Sequence, residues 1–476
     1  MAKQSRADFL RRAAVAGIGL AAAGRYLDGT ALADSFAPRV HAYETRPDLR
    51  PPIVSVLHHV QGATAEGLIF MAPLSGPGER GTLIVDDTGD PIYFHPTRPV
   101  VGLNFRAASY RGKPVLTWWE GKTEAGLGHG THVILDENYR LVKHVKAGNG
   151  RAADLHEFII TNRNTALVTA WEPVQAQGGT IVNGIVQELE LPSGRVLFEW
   201  KSLDHIPTTE SHTGFDRNGR WDYFHINSVE RLLDGHYLVS ARNTWGIYKI
   251  DGETGAVIWR LGGRKSDFHM GPGTRFAWQH DARLHPGNLL SLFDDGGAPM
   301  VQPQSKALLL HLDVKRMQAT LHRRYVHHPP AVARALGSTQ VLPNGNVLVG
   351  WGTSPYFSEH TDGGRVVFDA RLPPGGENYR VLRFPWRGQP YYPPVAKARR
   401  HAAGHLLHVS WNGATDVAQW QLEYGPTPGE VAPQRAVPRS HFETRIQVPD
   451  GAAYARATAM DAKGRPLRSS NVVPLE

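Results

Sequence analysis

Three short segments carry the residue types of a nucleophilic site: Asp154-Leu155-His156-Glu157-Phe158, Phe224-His225-Ile226-Asn227-Ser228 and Trp278-Gln279-His280-Asp281. Arg242 follows Asn227 by fifteen residues, in Ser240-Ala241-Arg242-Asn243. An imidazole can attack through a ring nitrogen or carry a proton near its ordinary pKa of about 6.5. A guanidinium adds a permanent charge and a rigid fork of donors. With an amide beside them, these groups suit nucleophilic chemistry on an anionic, oxygen-rich group such as a sulfate or phosphate ester. Each histidine taken singly also fits a hydrogen-bonded structural role on a strand, so the chemistry depends on their convergence.

The elements that must bring them together read as short strands. With Gly 50 and Pro 34 in 476 residues and only 20% charged residues, the composition favours many strands joined by turns. A turn rich in Gly, Asn or Asp followed by an apolar strand recurs at Gly81–Val85, Gly112–Trp119, Asn164–Trp171, Asp234–Ser240, Pro286–Phe293 and Asn344–Trp351. Five of these recur at intervals of about 50 to 70 residues, the length of a four-stranded blade with variable loops. Ile247–Asp251 and Val257–Leu261 flank the turn Gly252–Gly255 as the clearest hairpin. The expected fold is all-β: a six-bladed β-propeller within residues 34–390, then a small immunoglobulin- or fibronectin-like sandwich over 398–476. The sandwich is expected from the alternating strands Leu406–Trp411, Ala418–Tyr424, Glu443–Val448 and Ala453–Ala459. Pro385–Pro394 reads as the linker between them.

Composition also excludes functions. The chain has no cysteine, which removes thiolate nucleophiles, Cys-ligated zinc, iron–sulfur clusters, disulfides and a sulfatase nucleophile made from cysteine. Its net charge of +8 is spread without a Lys/Arg block, so nucleic acid is not expected as a partner. A basic cleft for a small anion uses the same charge. The adjacent pairs His58-His59 and His327-His328 point to opposite faces of a strand, a poor metal geometry, and no metal or cofactor is expected. Gly126–Gly130 and Gly262-Gly263 read as turns, not phosphate loops.

Residues 1–33 read as an export signal: Lys3, Arg6, Arg11 and Arg12, a small-residue apolar run Ala13–Gly24, and Ala31-Leu32-Ala33 as cleavage site. Ser5–Arg11 is similar to a twin-arginine signal with Ala7 in place of the second arginine. The run is too short for a stable membrane anchor, so a secreted or cell-envelope protein is expected.

The ordered set of motifs resembles the bacterial arylsulfotransferases, from about Gly67 to Pro394. It comprises Asp154–Phe158, Phe224–Ser228, Leu238–Thr244, Trp259–Gly263, Trp278–Asp281 and Phe293–Gly296. The resemblance implies a six-bladed propeller that moves a sulfuryl group from an aryl sulfate to a phenol, without a nucleotide donor, through a sulfohistidine. It implies His280 as nucleophile, the His225-x-Asn227 pair and Arg242 as residues that hold the sulfuryl group, and His156 as a further active-site histidine. It also implies a small-molecule donor and acceptor and a homodimer as an available assembly. Asp295 stands where the family pattern has Asn, and no cysteine supports a maturation disulfide. On the residues alone, Asp281 or a backbone carbonyl would fix the His280 tautomer, and Trp118, Trp119, Trp245 and Trp278 are candidates for an aromatic pocket. Hydrolysis at the same site, and a non-catalytic propeller binding sulfated or carbohydrate ligands, are the alternatives.

Overall fold

The computed structural model describes residues 39–401 and 404–475; the expected export signal over 1–33 lies outside them. Among the described residues no helix is long and apolar enough to cross a membrane.

The chain is all-β, in a propeller-like series of antiparallel sheets. Their strands run, innermost first, as follows. The first sheet is Leu382–Phe384, Leu68–Met71, Gly81–Val85 and Pro91–Pro96, and the second is Val101–Tyr110, Lys113–Glu124, Leu127–Asp136 and Leu141–Val145. The third is Phe158–Ile160, Thr165–Ala176, Gly179–Glu190 and Val196–Lys201, and the fourth Ile226–Arg231, Tyr237–Ala241, Gly246–Ile250 and Val257–Gly262. The fifth is His280–His285, Leu289–Asp294, Lys306–Asp313 and Gln318–Tyr325, with His269–Met270 parallel on its outer edge. The sixth is Ser338–Val341, Val347–Gly350, Tyr356–His360 and Val366–Arg371, with Ser55–His59 outermost. Hairpin turns such as Asp234-Gly235 and Asn344-Gly345 hold their glycines at φ 89° and 85°, a left-handed backbone that such tight turns demand.

Apolar clusters join each sheet to the next. Leu238, Ile247 and Trp259 of the fourth pack on Leu290, Leu292 and Leu308 of the fifth. Phe293, Ala307 and Leu309 meet Val347, Val349 and Trp351 of the sixth. Ile69, Met71 and Leu83 of the first meet Leu348, Phe357 and Phe368 of the sixth, so the series closes into a ring. The closure is doubled: the first sheet takes its inner strand from Leu382–Phe384, and the sixth takes its outer strand from Ser55–His59.

Beyond the ring, Val395–His401, Gly404–Ser410 and Glu443–Val448 form one sheet, and Ala432–Pro438, Gln419–Gly425, Tyr454–Met460 and Pro466–Ser469, with Val473–Pro474, another. Leu407, Val409, Trp420, Leu422, Ile446 and Ala457 form a common core for the two. The segment read as a linker is pinned rather than loose. Trp386 Nε1 donates to the Tyr139 hydroxyl at 3.0 Å, and that hydroxyl donates to Gly413 O at 2.7 Å. The Asn412 amide exchanges two 2.9 Å bonds with the Phe94 backbone.

Candidate active site

In an antiparallel pair, the start of the inner strand and the end of the second strand share one edge. That edge gathers the motifs. His156 precedes the inner strand Phe158–Ile160, His225 precedes Ile226–Arg231, and His280 opens His280–His285. Arg242 follows Tyr237–Ala241 and donates its backbone N–H to His225 O at 2.9 Å. Asp295 follows Leu289–Asp294, whose Phe293 pairs with His280.

Each histidine is held the same way. Nδ1 meets an aspartate Oδ2 at 2.5 Å for His156–Asp154, 2.5 Å for His225–Asp222 and 2.7 Å for His280–Asp295. An ionised carboxylate at Nδ1 holds the proton there and leaves Nε2 with its lone pair. Asp154 is itself anchored by Gly128 N at 2.6 Å. A Cβ at Gly128 would lie 2.6 Å from Leu155 N, so only glycine allows the hairpin to approach that closely.

The rings converge. Those of His156 and His225 meet edge-to-face at 4.7 Å, and Tyr379 lies 5.7 Å from His156 and 6.4 Å from His280. Burial pushes His280 well below its ordinary value, and the charges of Arg242, His225 and His156 add to that, so it is neutral at pH 7. Burial also lowers His225, against the pull of Asp222. Burial raises Asp295 well above the usual carboxylate range, with Arg242 opposing.

Arg242 lies over the Trp278 ring at 4.8 Å. Its Nη1 donates to Asn243 Oδ1 and its Nη2 to Arg334 O, both at 3.0 Å, while buried Nε has no partner. Positive φ values at His225 (58°), Trp245 (53°), Trp278 (59°) and Asp281 (54°) concentrate strained backbone here, as functional sites commonly do.

Two expectations need revision. Asp281 does not touch the His280 ring nitrogen that it was assigned; it pairs with Arg283 at 2.7 Å and Arg380 at 3.3 Å, and Asp295 takes the position instead. Trp119 packs among Leu103, Leu155 and Tyr379, while Trp118 packs on Phe105 and Leu116 and lines a different cavity, with His95, Tyr139 and Tyr391. Asn227 lies behind the rings, with its Nδ2 donating to Gln279 O at 2.6 Å and its carbonyl accepting from Tyr379 at 3.0 Å and Arg380 at 2.9 Å.

Beneath the histidines a buried ion cluster closes the axis. Glu157 receives Arg380 at 2.7 Å and Arg283 at 2.5 Å, with Arg106 at 3.9 Å. Burial would raise Glu157, yet Arg283 and Arg380 hold it down to about 2. Sequence reasoning passed over Tyr379 and Arg380, which no local motif marks.

A family model described as Arylsulfotransferase (ASST) matches residues 106–372, more than half of the chain and all three histidine motifs. The chain belongs to the arylsulfotransferase family. Comparison with curated proteins finds no match. Among solved structures, this arylsulfotransferase family member is similar to a protein of unknown function from Bacteroides caccae: 14% identity, 66% of this chain and 98% of that chain, TM-score 0.43. It is also similar to virginiamycin B lyase from Staphylococcus aureus: 8% identity, 76% of this chain and 95% of that chain, TM-score 0.31. These are distant likenesses.

Proposed function

We propose that the protein moves a sulfuryl group from an aryl sulfate to a phenolic acceptor through a sulfohistidine on His280. The observation that carries this is the convergence of three aspartate-anchored imidazoles with Arg242 at one edge of the ring. In the first half-reaction His280 Nε2 attacks sulfur, the N–S bond forms, and the bond from sulfur to the aryl oxygen breaks. Charge spreads over the sulfuryl oxygens in a loose transition state, where Arg242 supplies fixed cationic donors. In the second, the acceptor phenol attacks the same sulfur and the N–S bond breaks.

His225, neutral at rest and the more accessible of the paired rings, takes the acceptor's proton as the phenol attacks and releases it to solvent, while the donor's aryl oxygen leaves as phenolate and is protonated from solvent. No net proton is consumed over the cycle. His156, walled in by Asp154 and Tyr379, holds His225 in place and adds polarity. Asn227 acts through Gln279, supporting the backbone that leads into His280, in place of the direct donor role that the resemblance implies.

The remaining readings belong to the same proposal. The ring is a six-bladed propeller, the C-terminal sheets are a fibronectin-like accessory domain, and residues 1–33 direct export of a protein that needs no cofactor.

The test incubates purified protein with excess p-nitrophenyl sulfate, with and without phenol, and follows nitrophenol release and intact mass. Phenol-dependent turnover with a gain of one sulfuryl group, both lost in His280→Ala, supports the reading. Release that ignores phenol makes the protein a hydrolase. No release and no adduct across several aryl sulfates overturns it in favour of a binding propeller.

A further inference from the structure

Beside the histidines, between the fourth and fifth sheets, lies a cleft of about 1000 Å³ that the chemistry above does not use. One wall is a stack: His212 and Trp245 lie face to face, 3.6 Å apart at 5°. The stack leaves buried Trp245 Nε1 and His212 Nε2 without hydrogen-bond partners, a cost that an oxygen-rich guest would remove. Phe276 contributes a further aromatic edge.

The rim is cationic. Arg264 and Arg275 are exposed, and no carboxylate or other acceptor pairs with either among the described residues. Lys306 is already held by Gln302 and Asp294, so the uncompensated charge of the cleft is that of the two arginines. The loop that carries Arg264 is tightly seated. A Cβ at Gly262 would lie 2.6 Å from Phe276 and one at Gly263 2.5 Å from Thr244 O, both at positive φ.

The cleft wall packs against the candidate active site. Trp245 meets Trp278 edge-to-face at 5.1 Å, and Trp278 underlies Arg242 at 4.8 Å. Ala277, on the cleft wall, is three residues before His280. A planar molecule reaching from His280 past Trp278 would meet an aromatic wall first and two unpaired guanidiniums next.

We propose that this cleft receives the distal part of the substrate, and that its class is extended phenols bearing a second anionic group, such as a carboxylate, sulfonate or second sulfate. The assignment rests on the sulfuryl-transfer reading. Aromatic surface supplies stacking, and Arg264 and Arg275 select for negative charge at the far end.

The experiment uses two sulfate esters that share a leaving ring and differ by one carboxylate: those of 7-hydroxy-4-methylcoumarin and 7-hydroxycoumarin-4-acetic acid. kcat/KM is measured for each with phenol as acceptor, in the natural protein and in the Arg264→Ser/Arg275→Ser double variant. The acid is expected to be preferred about tenfold, the order that two partly exposed ion pairs supply. That preference falls with salt and approaches unity in the double variant, whose rate on the methyl compound is unchanged. Equal rates on both esters in the natural protein, or a preference that survives the double substitution, overturns the proposal.

A second arm needs no turnover: quenching of tryptophan fluorescence by 7-methoxycoumarin-4-acetic acid, which carries no sulfate. Saturable quenching lost in the double variant, with no turnover of either ester, sinks the sulfotransferase reading and leaves an anion-binding cleft. Turnover without arginine-dependent preference or quenching sinks the cleft and leaves the sulfotransferase.

Discussion

His280 Nδ1 and Asp295 Oδ2 stand 2.7 Å apart, with side chains 2% and 0% exposed. The contact occupies Nδ1 and leaves Nε2 as the ring nitrogen free of the carboxylate. Removing it in Asp295→Ala is expected to slow sulfohistidine formation by about 10² to 10⁴, since a misoriented imidazole loses both tautomer and aim. Asp295→Asn keeps an acceptor at the same place and is expected to lose far less. Rapid-quench measurement of the adduct in the two variants checks the difference; equal losses would mean that Asp295 acts through its charge.

The acid limb of the rate should reflect His280. Its protonation removes the nucleophile, and burial plus Arg242 keep it neutral until the pH is well below 6.5. Arg242→Gln deletes one of those positive charges, so the folded pKa rises and activity is lost at higher pH as the solution is acidified. The same change is expected to lower the plateau rate by about 10² through loss of transition-state charge stabilisation. A pH–rate profile of adduct formation reads both effects, and an unmoved acid limb would remove Arg242 from the vicinity of the nucleophile.

His132 should govern acid stability. It stacks on Phe158 at 4.3 Å and 15°, neither ring nitrogen has a partner, and burial lowers it to about 3. The unfolded chain takes up this proton as pH falls through about 6.5, while the folded chain does so only near 3. Stability is therefore lost between those values, at up to about 1.4 kcal/mol per pH unit. His132→Phe removes this contribution, so its Tm is expected to fall less than that of the natural protein between pH 7 and 5.

Glu157→Gln should unfold the protein more readily than any change at the rim. It leaves Arg380 and Arg283 buried against a neutral amide, at a cost of about 3 to 5 kcal/mol. Denaturant titration measures it, and a loss below about 1 kcal/mol would mean that water or Asp281 compensates the arginines.

The legibility of the site follows sequence distance. Asp154 sits two residues before His156 and Asp222 three before His225, so both pairs lie within local reach of the motifs. Asp295 reaches His280 only because His280 pairs with Phe293 across a hairpin, a register that composition does not specify. Tyr379 and Arg380 arrive from a segment between two sheets, where no periodicity announces them. Asp281 was assigned by its place beside His280, and the fold spends it on Arg283 and Arg380. The strand Gly81–Val85 matches its reading residue for residue, because a turn and an all-apolar run mark it locally. The long-range contacts of the linker segment, Trp386 with Tyr139 among them, span 247 residues and leave no local mark in the sequence.

The doubled closure of the ring is also the last step in completing the site along the chain. Tyr379 and Arg380 lie just before Leu382–Phe384, the strand that completes the first sheet, so the residues under the histidines arrive with the last segment of the ring. A nascent chain that has emerged as far as Asp295 holds the three histidines and three aspartates of the site but can make neither closing strand pairing. One segment thus supplies both the floor of the site and the strand that completes the ring.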